Sequence, residues 1–127
     1  MVVGVGIDLV EVARIRRALE DPKTGRRLRA RVYTAGEVRY CERRRNQYES
    51  YAGRFAAKEA VMKALGVGWG ARATWLEIEV VRLPGGRPEI RLSEKTSTFA
   101  RKLGVRRLSL SITHTQHYAI AYAVAEG

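Results

Sequence analysis

Apolar and polar positions alternate through the first eight residues, which predicts a strand with Val3, Val5 and Ile7 on one face and Gly4, Gly6 and Asp8 on the other. Two glycines beside a carboxylate leave room on that second face for close approach by another backbone or a ligand. The period then lengthens to that of a helix, with Leu9, Val12, Ile15 and Leu19 turned inward and Arg14 and Arg17 outward. Asp8 stands where it could N-cap this helix from a start near Leu9. Asp, Pro and Gly make a loop of Glu20 to Gly25. Thr34 and Glu37 have capping-box spacing, so a second helix starts there and ends within Arg43 to Asn46.

A long helix is predicted from about Ser50 to Leu65, rich in Ala, Lys, Glu and Met, without Pro and capped by Gly66. A loop follows around Gly66, Gly68 and Gly70. Leu76 to Leu83 and Glu89 to Leu92 read as strands about a Pro84-Gly85-Gly86 turn. Ser93 can cap a helix reaching Leu103, which Gly104 ends. Two alternating strands, Arg107 to Thr113 and Tyr118 to Ala125, close the chain across a short connection at Thr115 and Gln116. Helices and hairpins without regular βαβ alternation predict an α+β fold with antiparallel pairing.

Within the long helix, Phe55, Glu59 and Met62 share one stripe, with Lys63 at one margin and Lys58 at the other. A carboxylate facing the same way as core residues needs a partner, because an unpaired buried charge costs several kcal/mol. One reading is an ordinary surface pair between Glu59 and Lys63, worth about 0.2–0.5 kcal/mol. The other joins Glu59 to Asp8 as two hard oxygen ligands for magnesium, with water and substrate phosphate filling the remaining positions. Arg54, Lys58 and Lys63 would then meet the phosphate oxygens.

The 127 residues suit a single domain with one modest core, and 46% hydrophobic residues argue against disorder. No apolar run is long enough to span a bilayer, and the N-terminal run is broken by Asp8 without a preceding basic segment. A cytoplasmic location is expected. The single cysteine, Cys41, excludes an internal disulfide; Arg39, Arg43 and Arg44 could depress its pKa, but nothing nearby supports a nucleophile. The net charge of +11 implies an acidic partner. Arginines cluster at Arg14, Arg16 and Arg17, at Arg26 to Arg31, and at Arg39 with Arg43 to Arg45.

Three blocks, Gly6-Ile7-Asp8-Leu9-Val10, Gly53-Arg54-Phe55-Ala56-Ala57-Lys58-Glu59-Ala60 with Lys63, and Ser109-Leu110-Ser111-Ile112-Thr113-His114-Thr115, resemble holo-[acyl-carrier-protein] synthase, the small class of phosphopantetheinyl transferases. The resemblance covers nearly the whole chain in order. It implies an α+β fold of the phosphopantetheinyl transferase type, with a long central helix packed on a small antiparallel sheet, in one domain over residues 1–127. It further implies magnesium-dependent transfer of phosphopantetheine from coenzyme A to a serine of apo acyl carrier protein, releasing adenosine 3',5'-bisphosphate, in fatty acid biosynthesis. By the same resemblance Asp8 and Glu59 hold Mg2+, and Lys63 acts on the leaving phosphate. Arg54, Lys58, Lys63 and His114 contact coenzyme A. Arg14, Arg27 and Arg31 dock the acidic acyl carrier protein, and the glycine loop lies along the coenzyme pocket. A homotrimer with active sites between subunits is also implied, Asp8 and Glu59 coming from one and His114 from the next. Without the resemblance, His114 reads as a hydrogen-bonded residue at a strand end.

Two other classes compete. A nucleic-acid-binding module could use the arginine patches, but with aromatics at 8% it has little to stack bases on. A metal-dependent nuclease built on Asp8 and Glu59 would want further carboxylates, for which Glu11 and Asp21 are the nearby candidates.

Overall fold

The structure, a computed structural model, describes residues 1–67 and 74–127. Its elements run β1 (Val2–Glu11), α1 (Val12–Glu20), α2 (Gly25–Val32), α3 (Ala35–Glu42), α4 (Gln47–Ala64), a 3-10 turn (Trp75–Glu77), β2 (Ile78–Arg82), β3 (Pro88–Leu92), α5 (Glu94–Lys102), β4 (Arg107–His114) and β5 (Tyr118–Glu126). β1, β5 and β4 form an antiparallel sheet in that order, while β2 and β3 make a separate hairpin. The α+β expectation, with a long helix on a small antiparallel sheet, holds. The glycine loop around Gly68, Trp69 and Gly70 lies outside the described residues.

The glycine face of β1 packs inward. A methyl group on Gly4 would stand 2.0 Å from the Ala64 carbonyl oxygen, and one on Gly6 would stand 1.9 Å from that of Ala60. α4 therefore rests directly on the strand backbone. β5 continues this arrangement with Ala119, Ala121, Ala123 and Ala125, all fully buried, under Ala56, Ala57 and Ala60 of α4. Small side chains on both layers let the helix and sheet approach closely, so groups on α4 and β1 can meet without long reaches.

The opposite face is apolar and uncovered. Val3, Val5, Ile7 and Leu9 of β1 are 44–60% exposed, beside exposed Tyr118, Ile120 and Tyr122 of β5. The large apolar side chains of β5 thus point away from this chain's core, while its alanines face α4.

Several boundaries differ from the sequence pattern. β1 runs on to Glu11, so Asp8 is a mid-strand residue and does not cap a helix, and Leu9 joins the exposed face. α1 keeps Val12, Ile15 and Leu19 as its buried stripe. α2 has no counterpart in the pattern, because arginines fill its exposed positions and leave few apolar residues to mark a period. Thr34 and Glu37 form the expected capping box, with Thr34 N donating to Glu37 Oε1 at 2.8 Å and Glu37 N to Thr34 Oγ1 at 3.2 Å. Ser93 makes no cap bond; Glu77 replaces it, accepting from Thr96 N at 2.9 Å and Thr96 Oγ1 at 2.8 Å. Gly66 ends the long helix region with φ of +74°, a conformation that favours glycine.

Candidate active site

The close seat of α4 on β1 brings Asp8, Glu59 and Lys63 together. Asp8 pairs in register with Ala121, which pairs with Ile112, so its side chain shares the α4-facing side of the sheet with those two. Lys63 Nζ donates to Asp8 Oδ1 at 3.2 Å and to the Ile7 carbonyl at 3.0 Å. The ammonium therefore bonds across to β1, and the simple i,i+4 pair with Glu59 is not what this helix makes. Partial burial and the nearby charge of Asp8 push the Glu59 carboxyl above its ordinary value, against the fields of Lys63 and Arg14. Two carboxylates close enough to repel, open to solvent on one side and flanked by the half-exposed Lys63 ammonium, are a donor set that fits magnesium retaining several waters. Among the described residues no group of three His, Cys, Asp or Glu side chains could hold a metal ion. Neither Glu11 nor Asp21 supplies the further ligand that a nuclease would want.

A second cluster lies toward β4. His114, at the end of that strand, is in register with Ala119 and through it with Val10, again on the α4-facing side. Its Nδ1 is 2.7 Å from Glu49 Oε1 in the first turn of α4. Glu49 and His114 line a cavity of about 240 Å3 together with Tyr40, Arg44, Arg54 and Arg82. Arg54 is 4% exposed, lies over the Tyr40 ring at 3.9 Å from its centroid, and has a buried Nε without a hydrogen-bond partner. Arg44 and Arg82 approach the same ring at 5.2 and 5.9 Å. Guanidinium groups around one aromatic face suit an anion carrying a ring. Sequence reasoning missed Tyr40, Arg44, Glu49 and Arg82, since nothing in local spacing ties them to His114.

The two clusters lie toward opposite ends of α4, Glu49 in its first turn and Glu59 and Lys63 near its C-terminus. Asp8 and His114 lie on strands separated by β5, which places them about 10 Å apart across the sheet.

Lys58 is in neither cluster, which corrects the expectation that it meets phosphate. Its Nζ is fully buried, 2.7 Å from Glu37 Oε1 and 2.9 Å from the Trp75 carbonyl oxygen. Glu37 Oε2 also accepts from Val80 N at 2.7 Å. The capping-box glutamate thus ties α3, α4 and β2 together. Burial lowers the Lys58 pKa, and Glu37 opposes that shift. Cys41 is likewise internal, and burial pushes its thiol up to about 12 despite Arg54 and Arg44. The expected depression by neighbouring arginines is overridden, leaving an inert thiol.

Arg14 on α1 and Arg27 and Arg31 on α2 are all exposed. Arg14 is near enough to act electrostatically on Glu59, so the basic face of α1 borders the first cluster. Arg29 is engaged internally, donating to Tyr51 Oη at 3.3 Å and lying 3.7 Å from Glu42 Oε2.

A sequence model described as "4'-phosphopantetheinyl transferase superfamily" matches residues 4–123. The holo-[acyl-carrier-protein] synthases of Solibacter usitatus and Koribacter versatilis are each 46% identical over 126 residues, covering 99% of this chain and 99% of the relative. Among solved structures, the holo-[acyl-carrier-protein] synthase of Neisseria meningitidis aligns with a TM-score of 0.90 at 31% identity over 100% of both chains. That of Helicobacter pylori in complex with coenzyme A aligns at 0.84 and 33% identity, over 96% of this chain and 99% of the other. With the three motif blocks inside the matched span and the whole architecture shared, the chain belongs to the 4'-phosphopantetheinyl transferase superfamily and, within it, to the holo-[acyl-carrier-protein] synthases.

Proposed function

We propose that this enzyme transfers the 4'-phosphopantetheine of coenzyme A to a serine of apo acyl carrier protein, with magnesium, in support of fatty acid biosynthesis in the cytoplasm. The observation that carries the reading is the meeting of Asp8, Glu59 and Lys63 on the exposed flank of α4. Asp8 and Glu59 would hold the ion, whose charge, when bound, offsets that of the pyrophosphate. Lys63 is half exposed and reaches Asp8 by a flexible stem, so it can turn to the leaving phosphate and neutralise it.

In the transfer, the serine oxygen forms a bond to the β-phosphorus while the bond to the bridging oxygen breaks, releasing adenosine 3',5'-bisphosphate. The serine proton passes to a base or water. Such chemistry rests on positioning and charge stabilisation. Arg54 and His114, in the cavity walled by Tyr40, Arg44 and Arg82, suit the phosphorylated nucleotide end. Arg14, Arg27 and Arg31 present the basic face to the acidic carrier, and Arg14 directs the incoming serine toward Glu59. Lys58 holds α4 in place from within the core.

A homotrimer with shared active sites accounts for two features together. The uncovered apolar face of β1 and β5 would be buried between subunits, as large exposed apolar patches commonly are. The two clusters, toward opposite ends of α4 and on the two edge strands β1 and β4, would meet where the sheet edges of neighbouring subunits come together.

The test is intact-mass spectrometry of apo acyl carrier protein incubated with this protein, coenzyme A and magnesium, beside a chelator control. A magnesium-dependent gain of one phosphopantetheine is expected; no gain across several carriers with folded protein would sink the reading. For the shared site, mixing inactive Asp8→Ala and His114→Ala subunits should restore activity, and a mixture that exchanges subunits yet stays inactive would exclude it.

A further inference from the structure

Glu49 is an odd member of its surroundings. It is a carboxylate inside a cavity otherwise walled by Arg44, Arg54 and Arg82, where an anionic ligand is expected and another negative charge should repel it. Its side chain is 23% exposed, and it spends Oε1 on His114 Nδ1 at 2.7 Å, a length typical of a charge-assisted bond. An ionised carboxylate only accepts, so with Glu49 ionised Nδ1 is the donor in this bond and Nε2 is the ring nitrogen left without that partner. The pairing also ties down a ring that stands at the end of β4 with about a third of its side chain exposed.

We infer that Glu49 is a positioning residue that holds His114 with Nε2 directed at the phosphorylated nucleotide end of coenzyme A. The inference rests on the proposed use of this cavity. It deepens that use by naming the group that orients the histidine. α4 then carries both halves of the machinery: Glu49 at its first turn sets the histidine, and Glu59 and Lys63 farther along serve the other cluster.

Two explanations of Glu49 give opposite signs. If it were merely an adverse charge, Glu49→Ala and Glu49→Gln would both tighten binding of an anion. If it orients His114, Glu49→Ala weakens binding by about tenfold, as loss of an outer orienting partner does at comparable sites, and Glu49→Gln, whose amide oxygen still accepts from Nδ1, retains most of it.

The experiment is calorimetric titration of the full-length protein with coenzyme A and, separately, with adenosine 3',5'-bisphosphate, which isolates the nucleotide end. The variants are Glu49→Ala, Glu49→Gln, His114→Ala and the Glu49→Ala/His114→Ala pair. The expected result is a loss in Glu49→Ala for both ligands, rescue in Glu49→Gln, and no further loss when Glu49→Ala is added to His114→Ala. Unchanged or tighter binding in Glu49→Ala overturns the inference, as does an additive loss in the double variant, which would mean that Glu49 touches the ligand itself. Failure of the unsubstituted protein to bind adenosine 3',5'-bisphosphate would overturn the assignment of the cavity, a result distinct from any difference among the variants.

Discussion

Gly6 faces α4 so closely that the methyl group of Gly6→Ala would stand 1.9 Å from the Ala60 carbonyl oxygen. A carbon and a carbonyl oxygen need about 3.3 Å, so α4 must retreat from β1 by roughly 1.4 Å. The obstructing atom belongs to backbone, and no rotamer change relieves it. Overpacking of this kind costs about 1–3 kcal/mol. Spread over the unfolding entropy of 127 residues, that is a fall in Tm of about 4–11 °C, which a stable domain survives. The effect on chemistry should be larger than the effect on folding. Glu59 lies on the helix one position before Ala60, whereas Asp8 stays with the strand, so the retreat opens the gap between the two carboxylates and stretches the Lys63 to Asp8 contact of 3.2 Å. Misplacement by about 1 Å can cost about 100-fold in rate. Carrier modification followed by intact mass, with melting measured on the same sample, should show kcat/KM down about 100-fold in a protein that still unfolds cooperatively. Normal activity and normal Tm in Gly6→Ala would refute the claim that the helix is seated on the strand backbone.

Asp8→Ala and Glu59→Ala should each lower transfer by about 100-fold or more, equivalent to about 3 kcal/mol of lost stabilisation, with far-ultraviolet circular dichroism unchanged; activity in both would remove the metal assignment. Because the Glu59 pKa is raised in the fold, the folded state holds its proton more tightly than the unfolded chain, whose value is 4.5. Metal-free stability therefore falls as pH rises from that unfolded value through the raised folded one, and Glu59→Gln should raise Tm at neutral pH without metal. A melting scan showing no gain would contradict the repulsion from burial and Asp8. Lys58→Met should cost about 3–5 kcal/mol, because it leaves Glu37 charged and buried, and the double variant Glu37→Gln/Lys58→Met should recover part of that loss in denaturant titration; a Lys58→Met protein of normal stability would refute the buried pair. Arg14→Glu should weaken carrier binding by at least about tenfold while coenzyme affinity changes little, and equal losses in both titrations would sink the docking face.

The residues of the first cluster were legible because they sit in contiguous motifs on elements with clear periods. Asp8 alternates with glycines, and Glu59 and Lys63 are one turn apart on a helix without interruptions. What sequence could not settle was direction. Hydropathy marks Val3, Val5 and Ile7 only as one face of a strand; the glycines take the interior, using the room they leave for another backbone, since contact with a helix backbone demands the absence of side chains more than the presence of apolar ones. Lys58 shows the same limit from the other side. A lysine among phosphate-binding motifs suggests a ligand contact, but its partner is the capping-box glutamate of another helix, and that long-range pairing leaves no local spacing to read. Glu49 and His114 meet across 65 positions for the same reason. Pattern locates chemistry within an element; only packing decides whether a charged group is turned to substrate or spent on the fold. The motif's two lysines illustrate the division, because residues five apart on one helix point about 140° away from each other. Lys58 turns into the core to fix α4, and Lys63 turns to the solvent edge beside Asp8, so one helix carries both its own anchor and the cation available for chemistry.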